Sequence, residues 1–271
     1  MERRLLIIGY GVVGRAVFTG LIRDKNNTID VLDRPAGYDL PDLKYSDYDG
    51  VILCLPTPKG PMGECDDMMV EQYHRDIRSE LPWIPILIKS TISLELIKLL
   101  EDDMALTYNP EFLREDGGDE QFIKQDFAIF GGSNSRFWYY VYVNADITMS
   151  KVRFTSLINA GYAKYAINTF LATKVVFFNE LRNMYSDERF DELTDLISLD
   201  ERIGNSHMMV PGPDQKYGFG GKCFPKDTSA FAVSARSIGS PLKLLEKAID
   251  INKELRDENS FIKWYTLWCK K

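Results

Sequence analysis

Short apolar runs alternate with amphipathic stretches through the first half of the chain. Residues 4–9, RLLIIG, have the length and content of a buried parallel strand, and a helical pattern follows to about Asp24. Further strands are predicted at Thr28–Leu32, Val51–Leu55, Ile84–Ile88, Met104–Tyr108 and Phe127–Phe130, with helices near 67–80, 93–101 and 134–144. This alternation predicts an α/β fold, a doubly wound parallel sheet. The period then changes. From Ser156 to Met184, residues Leu157, Ile158, Tyr165, Phe170, Val176, Phe177, Leu181 and Met184 recur at helical spacing with no proline, which predicts one long helix. At about 1.5 Å per residue it spans more than roughly 40 Å, enough to cross a domain boundary and to offer a face to a second subunit. Residues 203–227 read as a loop, with four glycines between 212 and 221, and residues 241–258 and 259–270 as two closing helices.

Length and composition narrow the class. The 271 residues are enough for two domains, divided here at 153/154, the second mainly helical. The 45% hydrophobic and 27% charged content is that of a folded globular chain, and the net charge of −7, without like-charge runs, disfavours nucleic acid as a partner. MERRLLIIGYGVVG resembles a signal peptide in its basic start, but its glycines and missing small-residue cleavage site argue against export. No stretch reaches the roughly 18 apolar residues of a membrane span, so a cytoplasmic location is expected. Cysteines at 54, 65, 223 and 269, with only His74 and His207 beside them, have no metal-ligand or disulfide-framework spacing.

The first strand breaks into Gly9-Tyr10-Gly11-Val12-Val13-Gly14. In a strand-to-helix turn this spacing lets Gly9 form the tight bend, Gly11 admit a pyrophosphate to the backbone, and Gly14 bring helix and strand together. The phosphates then meet the helix N-terminus, where free N–H groups and the dipole favour anions. The second predicted strand ends at Asp33, where a carboxylate accepts hydrogen bonds from adenosine ribose hydroxyls. The first half is therefore expected to be a Rossmann-type domain binding NAD through Gly9, Gly11, Val12, Val13, Gly14 and Asp33. Asp33 also repels a 2′-phosphate, a preference for NAD that the neighbouring Arg34 opposes. Segments just past the other strands, including Thr57, Thr91 and the run from Asn109 to Glu115, fall where cofactor and substrate meet in such sheets.

On the long helix, Lys164 and Asn168 stand one turn apart and face the same way. By spacing alone they read as a solvated polar face; the alternative is a pair sharing one substrate oxygen. Gly218-Phe219-Gly220-Gly221-Lys222-Cys223-Phe224-Pro225-Lys226-Asp227 closes the long loop and runs into a helix that Asp227 is expected to cap. Glycines let the backbone fold closely over a ligand, and a thiol beside Lys222 and a helix N-terminus has its thiolate favoured. Cys223 is thus either a nucleophile or a structural cysteine in a tight loop.

Taken together, GYGVVG, LPTP at 55–58, KST at 89–91, NPEFLRE at 109–115, NAGYAKYAIN at 159–168 and GFGGKCFPKD at 218–227 resemble, in content and order, the UDP-glucose/GDP-mannose dehydrogenase family. The resemblance implies oxidation of a nucleotide-sugar C6 alcohol to a carboxylate with two NAD molecules in succession, UDP-glucose being the preferred substrate. Cys223 would attack the intermediate aldehyde to form a thiohemiacetal, whose oxidation gives a thioester that water cleaves. Lys164 and Asn168 would hold the oxyanion. Asp227 and Thr91 would position water, Glu115 would act as base and Glu111 would support the site from beneath. Thr57 would join Thr91 in cofactor binding. Phe112, Leu113, Arg114, Phe219, Gly220 and Gly221 would contact the sugar nucleotide, and Arg202 would reach it across the interface of a homodimer built on the long helix.

Family members continue into a third, nucleotide-binding domain, whereas this sequence ends at Lys271. The expectation is a pared-down dehydrogenase without that domain. Two alternatives stay open. A two-domain β-hydroxyacid dehydrogenase also joins a Rossmann domain to a long helix bearing lysine and asparagine, and needs no catalytic cysteine. A catalytically silent, NAD-binding partner of a full-length dehydrogenase is the other.

Overall fold

The computed structural model describes residues 2–33, 35, 37, 47–113, 118–185 and 189–257. The chain divides into two compact units, Met1–Gly60 with Cys65–Lys164, and Pro61–Glu64 with Tyr165–Lys271.

The first unit contains β1 (Arg3–Ile8), α1 (Val12–Leu21), β2 (Asn27–Leu32), β3 (Gly50–Leu53), α2 (Met68–Glu80), β4 (Ile86–Ile88), α3 (Leu94–Leu99) and β5 (Leu106–Tyr108). These are followed by α4 (Gly118–Ile123), β6 (Lys124–Gln125), β7 (Ala128–Gly131), α5 (Ser135–Asn144), β8 (Thr148–Met149) and β9 (Val152–Thr155). Seven strands form one sheet in the order β2-β1-β3-β4-β5-β7-β9, and β6 pairs with β8 separately. Each residue of β1 alternates between the two faces. Leu6 and Ile8 join Leu53, Ile88, the α2 residues Val70 and Ile77, and the α3 residues Leu96 and Ile97. Leu5 and Ile7 join Ile52, Leu87, the α1 residues Ala16 and Val17, and the α5 residues Trp138 and Tyr142. Strands covered on both faces must be apolar at nearly every position, which is why β3 and β4 read as unbroken apolar runs.

The doubly wound parallel sheet expected from the sequence is present, with one antiparallel step. β5 and β7 are antiparallel, meeting at Tyr108↔Gly131, and β9 then runs parallel to β7. An antiparallel neighbour enters the sheet at the end where β5 leaves it. Proline also trims the predicted strands. β4 begins only after Pro85, which has no N–H to donate and instead accepts a bond from Val51 N at 2.9 Å through its carbonyl.

The second unit is built on α6 (Leu157–Met184), α7 (Phe190–Ser198), α8 (Phe224–Ser237) and α9 (Lys243–Arg256). The 28-residue α6 contributes to both units, the division falling between Lys164 and Tyr165. Tyr165 stacks on Phe231 of α8 at 5.4 Å between centroids, and Ala172 and Val176 pack against Phe219 and the α9 residue Ala248. Residues 199–223 contain neither helix nor strand, so the loop expected over 203–227 is present but gives way to α8 already at Phe224. The terminal helix predicted at 259–270 lies outside the described residues. Among the described residues, no helix is long and apolar enough to cross a membrane.

Candidate active site

In the first unit, β1 is flanked by β2 on one side and β3 on the other. The helices that follow β1 and β3 pack on opposite faces, α1 with the core containing Leu5 and α2 with the core containing Leu6. A crevice opens beyond the carboxyl ends of two strands wherever successive helices part in this way. Gly9-to-Gly14 and Cys54-to-Thr57 follow those two ends. Gly9 has φ +95°, and a Cβ there would come within 2.5 Å of Cys54 O. A Cβ on Gly14 would collide with the carbonyl of Gly9, whereas Gly11, which stands as the N-cap of α1, has nothing within 4 Å of that position. Two glycines thus make the turn possible and the third leaves backbone open. Asp33 lies over the turn, its Oδ2 accepting the Tyr10 N–H at 2.6 Å. Thr57 is buried, Thr91 is partly buried, and the Thr91 carbonyl accepts the Cys65 thiol at 3.4 Å. Gly14→Ala is expected to cost about 1–3 kcal/mol, read as a lower urea midpoint, because the obstructing atom is backbone and cannot move aside.

A buried polar network lies behind Glu111. Its Oε1 accepts the N–H groups of Phe112 and Leu113 at 2.8 and 3.0 Å, and its Oε2 pairs with Lys89 Nζ at 2.9 Å. Lys89 also donates to Asn109 Oδ1 at 2.7 Å, and Asn109 is held in turn by Tyr142 and by the Ile129 carbonyl. Lys164 donates to the carbonyl of Glu111 and stands 4.9 Å from the centre of the Phe112 ring. Lys164 is buried, so the solvated-face reading of this residue fails. Arg114 and Glu115 lie outside the described residues, as does Arg34.

In the second unit Asn168 is buried as well and donates to Asp227 Oδ2 at 2.6 Å. Asp227 is itself buried and pairs with Lys226 Nζ at 2.7 Å. It does not cap α8 as the sequence suggested. The N-cap is Cys223, and the Asp227 amide already bonds the Cys223 carbonyl at 2.8 Å, which sets Asp227 inside the first turn with its carboxylate turned toward Asn168. Cys223 is exposed, while Cys54 and Cys65 are buried. Burial pushes the Cys54 thiol up to about 12, against the opposing charge of Lys89. Gly220 is partly buried and Gly221 exposed. Phe219 is buried against α6 and α9, and Arg202 is exposed and held by Asp200 through bonds of 2.6–3.2 Å.

Sequence reasoning missed Lys89, Asn109 and Tyr142 as a group. The available signal was a lysine ending the apolar run ILIK, since a charge at the end of a wholly buried strand requires a partner. Asn252 and Arg256, also passed over, bond the backbone of Gly218 and Phe219.

Residues 159–254 match the central domain of the UDP-glucose/GDP-mannose dehydrogenase family. The chain is 30% identical over 243 residues to the UDP-glucose 6-dehydrogenase TuaD of Bacillus subtilis, covering 84% of this chain and 51% of that protein. It is 32% identical over 219 residues to the UDP-glucose 6-dehydrogenase of Rickettsia bellii, covering 76% and 49%. The chain therefore spans about half the length of the curated relatives it matches. Among solved structures, a UDP-glucose dehydrogenase from Pyrobaculum islandicum superposes with TM-score 0.76 at 23% identity, covering 93% of this chain and 68% of the other. The 3-hydroxyisobutyrate dehydrogenase of Mycobacterium tuberculosis superposes with TM-score 0.70 at 18% identity, covering 96% of each. These superpositions show a shared fold, and the match to the family's central domain takes in most of α6, α7, α8 and most of α9.

Proposed function

We propose that the chain is an NAD-dependent nucleotide-sugar 6-dehydrogenase, with UDP-glucose as the preferred substrate and Cys223 as the nucleophile. The observation that carries this reading is the exposed Cys223 at the head of α8, one helical turn before the buried Asn168–Asp227 pair. A structural cysteine in a tight loop has no reason to be exposed while the carboxylate behind it is buried.

The cofactor turn fits a dinucleotide. Open space at Gly11 lets a pyrophosphate approach the first-turn N–H groups of α1, and Asp33 stands over the same turn. Gly9, Gly11, Val12, Val13 and Gly14 would hold the phosphates, Asp33 the ribose, and Thr57 and Thr91 the nicotinamide end. When bound, the nicotinamide supplies the hydride acceptor. Cys223 adds its sulfur to the C6 aldehyde carbon, and the carbonyl oxygen takes up negative charge as the C–S bond forms. Lys164 and Asn168 stabilise that oxygen, Lys164 from its position on the Glu111 carbonyl and Asn168 through the amide group that Asp227 orients. At the thioester stage Thr91 and Asp227 position water and Glu115 removes its proton, so the carbonyl carbon gains a hydroxyl and the sulfur leaves. One thiol holding both stages prevents escape of the aldehyde.

Phe112, Leu113, Arg114, Phe219, Gly220 and Gly221 are assigned to the sugar nucleotide. Phe170, Phe177 and Met184, exposed at intervals of seven along α6, support a homodimer on this helix, with Arg202 serving the partner's substrate. A cytoplasmic location accords with a nucleotide-sugar substrate. The test is NADH formation by the purified protein with UDP-glucose and NAD. Two NADH per sugar are expected, since alcohol to carboxylate removes four electrons and each cofactor accepts two; one NADH per sugar with aldehyde released would sink the thioester route.

A second reading, a β-hydroxyacid dehydrogenase, is favoured by the end-to-end fold match with the mycobacterial enzyme. Turnover of a small hydroxyacid that survives Cys223→Ser would establish it in place of the first.

A further inference from the structure

Two of the glycines before Cys223 lie against side chains of α9. Gly218 has φ +71°, and a Cβ there would collide with Asn252 Oδ1; a Cβ on Gly220 would collide with the Arg256 guanidinium. The sequence suggested that these glycines let the backbone close over a substrate. In the structure the space at Gly218 and Gly220 is taken by side chains of α9.

The contacts are numerous and directional. Asn252 Oδ1 accepts Phe219 N–H at 2.6 Å and Asn252 Nδ2 donates to Phe219 O at 3.1 Å, closing a two-bond ring on one residue. Arg256 donates to Phe219 O at 3.1 Å, to Gly218 O at 3.0 Å and to Asp214 Oδ2 at 2.6 Å. From α6, Asn179 Oδ1 accepts Gly218 N–H at 2.9 Å. Asn179 and Asn252 are both buried, where amide hydrogen bonds are strongest and most costly to lose. The Phe219 ring adds an apolar anchor among Ala172, Val176 and Ala248.

Eight residues past Phe219, and four past Cys223, the chain is fixed again at Asp227 by Asn168. Between these anchors lie Gly221, Lys222 and Cys223, all exposed. The thiol therefore stands on a short span clamped at both ends, one clamp on α6 and the other on α9.

We propose that Asn252 and Arg256 are positioning residues that set the place of Cys223 by gripping the Gly218–Phe219 backbone. The inference rests on the reading of Cys223 as the reacting thiol. A misplacement of about 1 Å in a reacting group can cost on the order of a hundredfold in rate, so a grip four residues away is close enough to matter.

The test uses the full chain with Asn252→Ala, Arg256→Ala and Arg256→Lys. Turnover with UDP-glucose and NAD is measured beside the rate at which iodoacetamide alkylates each cysteine, followed peptide by peptide by mass spectrometry. Both alanine variants are expected to lower kcat at least about tenfold while KM for NAD stays within about twofold. Alkylation of Cys223 should rise at least about threefold, because a loosened span admits the reagent from more directions, while buried Cys54 and Cys65 stay unreacted. Arg256→Lys, which keeps a donor but not the planar fork, should fall between wild type and Arg256→Ala. The proposal is overturned if kcat and Cys223 alkylation keep their wild-type values, or if Cys54 and Cys65 react in step with Cys223, which would mean general loosening. A wild-type protein without turnover on any nucleotide sugar would remove the proposed function, and the alkylation measurements would still decide the grip.

Discussion

Replacing Cys223 with serine is expected to reduce NADH formation from UDP-glucose by roughly a thousandfold or more, while NAD binding, measured by calorimetry, stays unchanged. A serine hydroxyl in the same place is a far weaker nucleophile and a far poorer leaving group from the acyl stage. The fold should not suffer. Cys223 is exposed and makes no side-chain cap to α8, and serine is a preferred residue at that position. An unchanged or raised melting temperature together with lost turnover would place the defect in the chemistry. Wild-type turnover in the variant would remove the thiol from the mechanism.

The largest expected effect on stability is at Lys89. Lys89→Met strips the partly buried Glu111 carboxylate of its cation and should cost about 3–5 kcal/mol, read from urea unfolding. The asymmetry is the diagnostic part: adding Glu111→Gln to Lys89→Met should recover a substantial share, because the uncompensated charge is then gone. A loss below about 1 kcal/mol for the single variant would show that the Glu111 carboxylate finds water or another partner, and that the network does not depend on this lysine.

Most of the architecture was legible because the period of apolar residues changes where the architecture changes. β1, β3 and β4 place residues in the cores on both faces and leave apolar runs, and α6 leaves an uninterrupted helical stripe. Two short helices, α4 and α7, went unassigned, and the strands that escaped are those with weak periodicity. β9 (VRFT) has no fully buried residue, and β6 and β8 have two residues each. The reversal at β7 escaped for a different reason: strand direction depends on where a connection ends, and no local pattern encodes that.

The candidate site was legible as residue types and less so as partners. Spacing put Lys164 and Asn168 on one helix face, but burial decided against solvent, and burial comes from Glu111 and Asp227, 53 and 59 residues away in sequence. Asp227 was placed in the right turn with the wrong task, because a first-turn aspartate looks the same in sequence whether it caps the helix or turns inward. The glycines of the cysteine loop were read for a ligand; the side chains occupying that space come from a helix more than 30 residues downstream.

The contrast between one open thiol and two enclosed ones also governs how the chain meets oxidants. Peroxide attacks sulfur that is accessible and ionisable, so among the described cysteines Cys223 is the one that enters the series from sulfenic to sulfinic and sulfonic acid, while Cys54 and Cys65 are shielded. Oxidative inactivation would then begin at the sulfur proposed as the nucleophile, with the fold left intact. A thiol reductant restores activity at the sulfenic stage and no longer does so beyond it.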